Sequence, residues 1–206
     1  MCFSAEASFV AGFGLLASSV YFLRKPMGPE YRLLKMVPLF FGIQQICEGI
    51  VWITHFNSNY QTIAFMARNA FLFFAFFLWP SYIPRALLPL ATTPFYKSIQ
   101  TFLYGMGVTV GSLLAWLSFK NGVTCMISCH HIEYFFTTPS SVSLPLVLYY
   151  CITTVIAFFL TGRKDVVKCG ILMAISVLVS AYFYTVWFTS VWCFFAAVLS
   201  WYIFLL

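Results

Sequence analysis

The chain has 206 residues, of which 62% are hydrophobic, 21% aromatic and only 8% charged, with 25 Phe and a formal net charge of +6. A soluble domain carries about 25% charged residues, so this composition excludes a water-exposed globule and makes the lipid bilayer the main partner. Lys and Arg are spread thinly between apolar runs, which excludes a nucleic-acid footprint.

A helix that crosses the hydrocarbon needs roughly 20 mostly apolar residues. Seven runs satisfy that test: 4–23, 36–54, 62–83, 100–119, 143–160, 169–187 and 190–206. The expected fold class is therefore all-α integral membrane, a seven-transmembrane-helix bundle filling 1–206 as one transmembrane domain. The first run lacks the basic leader and small-residue cleavage site of a signal peptide and reads as a span. It opens "MCFSAEASF", with Ser4 placed to cap the helix. Ala11 and Gly14 further along, like Gly107 and Gly111 in the fourth run, permit close helix contact. Pro80 and Pro84 are expected to kink or end the third span, and Pro145 suits the first turn of the fifth. Cys47, Cys151, Cys169 and Cys193 read as small buried hydrophobes.

Orientation follows from the basic residues, which concentrate in short cytoplasmic loops. Arg24, Lys25, Arg32 and Lys35 lie in the first loop, Arg85 and Lys97 in the third, and Arg163, Lys164 and Lys168 in the fifth. Nine of the eleven basic residues thus share one side, which puts the N-terminus outside and the C-terminus in the cytoplasm. "VYFLRK" against "AFFLTGRK" and "GIVW" against "YTVW" hint at a parallel three-plus-one-plus-three repeat, an arrangement found in some transporters. Chance matching in an aromatic-rich chain gives the same pattern, so both explanations stay open.

The second run, "FGIQQICEGIVWITHF", places Gln44, Glu48 and His55 within roughly 40° of one another on a helix, with Gln45 and Trp52 on an adjoining stripe. Lipid is a poor solvent for such a stripe, which should face protein or a water-filled cavity. Arg68, in "MARNAF" of the third run, stands at a depth comparable to Glu48. An ion pair between them, with Asn69 completing the hydrogen bonds, would relieve both charges. That pair would serve a polar site or simply lock two spans together.

Cys2, Ser4 and Glu6 begin the first span on the outer side, and the fourth loop, "CMISCHHIEYFF", is also outer. Together with the second-span stripe they make one site open to the outside and roofed by that loop. Cys125, Cys129, His130 and His131 offer donors suited to zinc or copper. Equally, the outer cysteines could form a disulfide. A proton or cation pathway through Glu48, His55 and Glu6, and a catalytic centre at the outer leaflet, are the remaining readings. No Lys occupies the last span to hold retinal, and three histidines do not supply the spaced set of the seven-span metal hydrolases.

"MCFSAEASFVAG" together with "PLFFGIQQICEGIVW" resembles a family of bacterial integral-membrane proteins of unknown function. Its members begin Met-Cys-Phe-Ser-Ala and carry Gln-Gln-x-x-Glu-Gly in the second span. The resemblance covers the first third of the chain, implies the bacterial inner membrane, and draws attention to Cys2, Ser4, Gln44, Gln45, Glu48 and Trp52. Glu6 departs from it, standing where a small or hydroxyl residue is expected. Removal of Met1 would leave Cys2 presenting an amine beside a thiol, a pair able to chelate metal or act as a nucleophile.

Two functions follow as expectations. One is a binding or transport protein for a small solute or ion, with an outward-facing site made of Cys2, Ser4, Glu6, Gln44, Gln45, Glu48, Trp52, His55, Arg68 and Asn69. The alternative is an outer-leaflet enzyme or redox protein in which Cys2 and the Cys-His-His loop hold zinc or copper. Self-association is compatible with either.

Overall fold

The computed structural model describes residues 4–26, 28–135 and 140–206, without the side chains of residues 121, 140–144 and 147. Helices α1 (Ala5–Leu23), α2 (Leu34–Thr54), α3 (Ser58–Leu90) and α4 (Pro94–Asn121) come first. An antiparallel hairpin of β1 (Thr124–Ser128) and β2 (His131–Phe135) follows. Helices α5 (140–159), α6 (Lys164–Phe183) and α7 (Thr185–Leu205) complete the chain.

Every expected span has a helix, yet six of the described helices are long and apolar enough to cross a membrane. The fully described part of α5, Leu148–Phe159, is also apolar. Pro145 lies inside α5, which begins at Ser140, before the expected start. The chain is all-α as expected, and the two-stranded hairpin is a small addition to it among the described residues.

The prolines do not end α3. A π-helical stretch, Phe74–Leu78, precedes them, and the helix then runs on to Leu90. The Ser81 hydroxyl donates to the carbonyls of Phe77 at 2.7 Å and Leu78 at 3.1 Å, bonds back along its own helix. A second π stretch, Ile152–Ile156, interrupts α5. The third and fifth helices would not correspond in a three-plus-one-plus-three repeat, so these irregularities do not follow it.

Close approach of the helices rests on glycine. A Cβ added at Gly107 would stand 2.0 Å from the Pro80 carbonyl oxygen, so α3 and α4 touch backbone to backbone. On the other flank, Gly12 and Gly42 face one another, each 3.1 Å from the other's carbonyl oxygen when a Cβ is built. Gly14, the expected contact on α1, meets only the Trp201 ring, at 3.4 Å.

One end of the bundle is basic. There the Tyr31 hydroxyl donates to Asp165 Oδ2 at 2.8 Å, Arg163 Nη1 donates to the Tyr31 oxygen at 2.8 Å, and Arg163 pairs with Glu30 at 3.4 Å. The Thr92 hydroxyl donates to the Thr161 carbonyl at 3.1 Å and Lys35 Nζ to the Lys25 carbonyl at 2.8 Å. The three loops that carry nine of the eleven basic residues are thereby tied together, opposite the hairpin.

In the middle, Phe41 stacks on Trp79 with ring centroids 3.8 Å apart. Beside them is a cavity of about 30 Å³ lined by Phe41, Trp79, Tyr150, Thr154, Met173 and Trp192, among others.

Candidate functional site

The polar stripe of α2 faces protein. Gln44 and Gln45 are fully buried and Glu48 is 1% exposed, in the middle of a helix with no polar solvent on that face. Gln44 Oε1 accepts from Trp79 Nε1 at 2.8 Å, which ties α2 to α3. The Glu48 carboxylate accepts a short hydrogen bond from the Ser190 hydroxyl of α7. Gln45, one turn before Glu48, stands beside the same carboxyl. Its amide nevertheless makes no hydrogen bond of good geometry among the described residues.

Cys125–Ser128 and His131–Tyr134 form the roof. Strand alternation turns Cys125, Ile127, Ile132 and Tyr134 to one face, in cross-strand pairs Cys125–Tyr134 and Ile127–Ile132. That face packs into a buried cluster with Val51 of α2, Phe71 and Leu72 of α3, and Cys193 of α7. Tyr134 stacks on Phe71 with centroids 5.1 Å apart, and Ile132 is fully buried. At the turn end, His131 stacks on Trp187 at 4.4 Å, and Trp187 Nε1 donates to the Ser128 hydroxyl at 3.1 Å. His131 Nδ1–H donates to the Cys129 carbonyl at 2.7 Å, which fixes its tautomer.

The two-residue turn explains the histidine and cysteine at its tip. Cys129 and His130 have φ of 49° and 60°, the left-handed pair required by a tight hairpin turn. His131 is buried under Trp187 and Cys125 faces inward, whereas Cys129 is exposed. The expected metal set is therefore dispersed: no three His, Cys, Asp or Glu side chains converge among the described residues. Nor do Cys125 and Cys129 form a disulfide. One lies in the strand pairing and the other at the turn. Cys2 lies outside the described residues.

Arg68 does not pair with Glu48. The ion pair Arg163–Glu30 is the one found within 4.0 Å among the described residues. Arg68 sits instead under the hairpin, close to Cys125 and His55. Its guanidinium lies 5.5 Å from the Phe65 ring centre, and its buried Nε has no hydrogen bond among the described residues. Cys125 Sγ and His55 Nδ1 share a hydrogen bond at 3.8 Å. Burial, and secondarily the Arg68 charge, hold His55 below its ordinary pKa, so this contact is made by a neutral ring. Burial likewise drives the Tyr134 phenol well above its usual value, with Glu48, Cys125 and Cys193 adding to the effect and Arg68 opposing it. Glu48 and Arg68 thus act with opposite sign on one phenol, and no ion pair joins them.

The other expected residues divide. Ser4 caps α1, its hydroxyl accepting from the Ala7 N–H at 3.3 Å. Glu6 is exposed, away from the Glu48 cluster, because the buried stripe of α1 is Ser8, Gly12, Leu15 and Ser19. Asn69 spends its amide on the Phe65 carbonyl of its own helix at 2.7 Å. Trp52 is half-buried, with Nε1 lacking a hydrogen bond among the described residues. Ser190, Tyr134 and Cys193 join the site without having been expected there. Ser190 carries no signal beyond being a hydroxyl near the start of an apolar run, while Tyr134 is legible only once the hairpin is seen.

The chain belongs to a family of unknown function (DUF6629), whose model matches residues 1–206. No curated protein and no solved structure matches it.

Proposed function

We propose that this multi-pass membrane protein binds or transports a small polar solute or ion at the Glu48 cluster, from the outer side of the membrane. One observation carries the reading. Around a buried carboxyl, Trp52 Nε1 and the Tyr134 hydroxyl are buried without a hydrogen-bond partner among the described residues, and the Gln44 and Gln45 amides reach only Cys193 and Glu48, through contacts outside good hydrogen-bond geometry. Each such group costs about 1–3 kcal/mol. Four neighbouring side chains with unspent hydrogen-bonding capacity are therefore a poor way to pack helices and a good way to hold a polar guest.

The outward orientation rests on the nine basic residues at the opposite end. A reporter fused after Leu206 is expected to be cytoplasmic, and an extracytoplasmic reporter signal there would reverse the direction of the site. Binding is tested by screening small polar solutes for thermal stabilisation of the detergent-purified protein. At least one should raise the Tm, and Glu48→Gln and Gln45→Leu should abolish that shift. A screen whose stabilisers act equally on both variants would contradict the site.

A further inference from the structure

We infer that the turn closing α1, at the basic end of the bundle, binds an anionic glycerophospholipid, its phosphate among Arg24, Lys25 and Lys35 and an acyl chain along the exposed face of α1. Arg24 and Lys25 directly follow Leu23, the last residue of α1, and the Lys35 ammonium donates to the Lys25 carbonyl at 2.8 Å. The two lysine ammonium groups are therefore no further apart than one lysine side chain and its own carbonyl allow. None of the three cations has a carboxylate within 4.0 Å among the described residues. The two acidic residues of this end are spent elsewhere, Glu30 on Arg163 and Asp165 on the Tyr31 hydroxyl. The dipole of α1 offers only about half a negative charge at its C-terminus, too little to balance three cations. Lys35 is buried, and of the three N–H donors an ammonium carries, the Lys25 carbonyl takes one. Cations gathered on one turn without a counter-charge favour an anion with several oxygens, such as a phosphodiester.

The surface beside the turn fits a lipid better than a soluble phosphate. Val10, Phe13, Ala17, Val20 and Tyr21 make the exposed face of α1, opposite its buried stripe of Ser8, Gly12, Leu15 and Ser19. Arg24, three residues after Tyr21, continues that face at its basic end. At 1.5 Å per residue the stripe from Val10 to Arg24 runs about 21 Å, more than half of the roughly 30 Å hydrocarbon core. It is long enough for the acyl chain of one leaflet. Lys25 leans back on the same surface, with Nζ 4.7 Å from the Tyr21 ring centre and 5.1 Å from that of Phe22, as a lysine at the bilayer interface does. Phe22 in turn stacks on Phe204 of α7 at 4.4 Å, which holds the turn against the bundle. A soluble anion would meet the cations and leave the apolar stripe unused. A zwitterionic lipid would cover the stripe but bring a cation of its own to the turn. An anionic lipid matches both.

Native mass spectrometry of the full chain in detergent, titrated with phosphatidylglycerol or with phosphatidylcholine of the same acyl chains, tests the site. The first phosphatidylglycerol should bind about tenfold or more tighter than the first phosphatidylcholine. Arg24→Gln with Lys25→Gln, both exposed, should remove that preference. Lys97→Gln with Lys164→Gln, also exposed, takes the same charge from other loops of the same end and should keep it. Melting without added lipid checks that both pairs are folded. On the unmodified chain, glycerol 3-phosphate at the lipid's concentration should not displace phosphatidylglycerol, and rising salt should shrink the preference between the two lipids. Equal binding of the two lipids, or displacement by glycerol 3-phosphate, would overturn the assignment. An equal loss in both pairs would overturn it too, by making the preference a property of the whole basic end.

Discussion

Gly107→Ala is expected to be the most damaging single-methyl change in the protein. Its Cβ would stand 2.0 Å from the Pro80 carbonyl oxygen and 2.8 Å from the Ser81 Cα, both backbone atoms that no rotamer change can move. Overpacking costs about 1–3 kcal/mol where side chains can yield. Here α3 and α4 must separate, so the loss should reach or exceed the top of that range. Gly105→Ala, two residues earlier on the same helix, is the control: nothing lies within 4 Å of its added Cβ. Replacing a helical glycine should there gain up to about 1 kcal/mol. Unfolding of the two variants in detergent, followed by circular dichroism, should give shifts of opposite sign. Equal shifts would mean that the α3–α4 contact is looser than described.

The second large effect concerns Glu48. Glu48→Ala strands the Ser190 hydroxyl in a dry interior and opens a cavity, for a loss of about 1–3 kcal/mol. Ser190→Ala added to Glu48→Ala should cost little more, because the partner is already gone. The coupling energy of this pair should fall in the range of about 0.5–3 kcal/mol found for contacting residues. Arg68→Met, by contrast, should not rescue Glu48→Ala, since the two charges make no ion pair. Rescue by Arg68→Met, with Glu48 and Ser190 uncoupled, would restore the ion pair that the depths along α2 and α3 imply.

That ion pair marks the limit of what the chain alone reveals. A polar residue every third or fourth position in an apolar run shows which face of α2 is buried, because the helical period is fixed. The burial of Gln44, Gln45 and Glu48 is legible for this reason. Depth along two helices does not fix how each is rotated, and Arg68 turns toward the hairpin instead of toward Glu48. The hairpin is hidden by its turn. Asn-Gly is the usual left-handed pair, and Cys129-His130 in its place points to metal chemistry instead. The alternation of "TCMIS" and "HIEYF" holds the strand signal all the same.

The prolines teach a related lesson. Pro80 and Pro84 carry a breaking tendency, yet α3 passes through a π stretch just before them and continues to Leu90. Local propensity has no means of seeing that Gly107 leaves room for the Pro80 backbone. The basic residues, whose meaning depends only on which loop they occupy, can be read without any packing. Their three loops meet at one end through Tyr31, Asp165, Thr92 and Thr161.

A polar solute site at Glu48 requires that the buried polar groups around it receive a guest. A structure of the protein in lipid nanodiscs, at a resolution that defines ordered solvent, tests this most directly. Non-protein density within hydrogen-bond reach of the Glu48 carboxyl, the Gln45 amide and the Tyr134 hydroxyl is the predicted result. Side chains turned to bond one another, with no density between them, would contradict it and make the cluster a packing device.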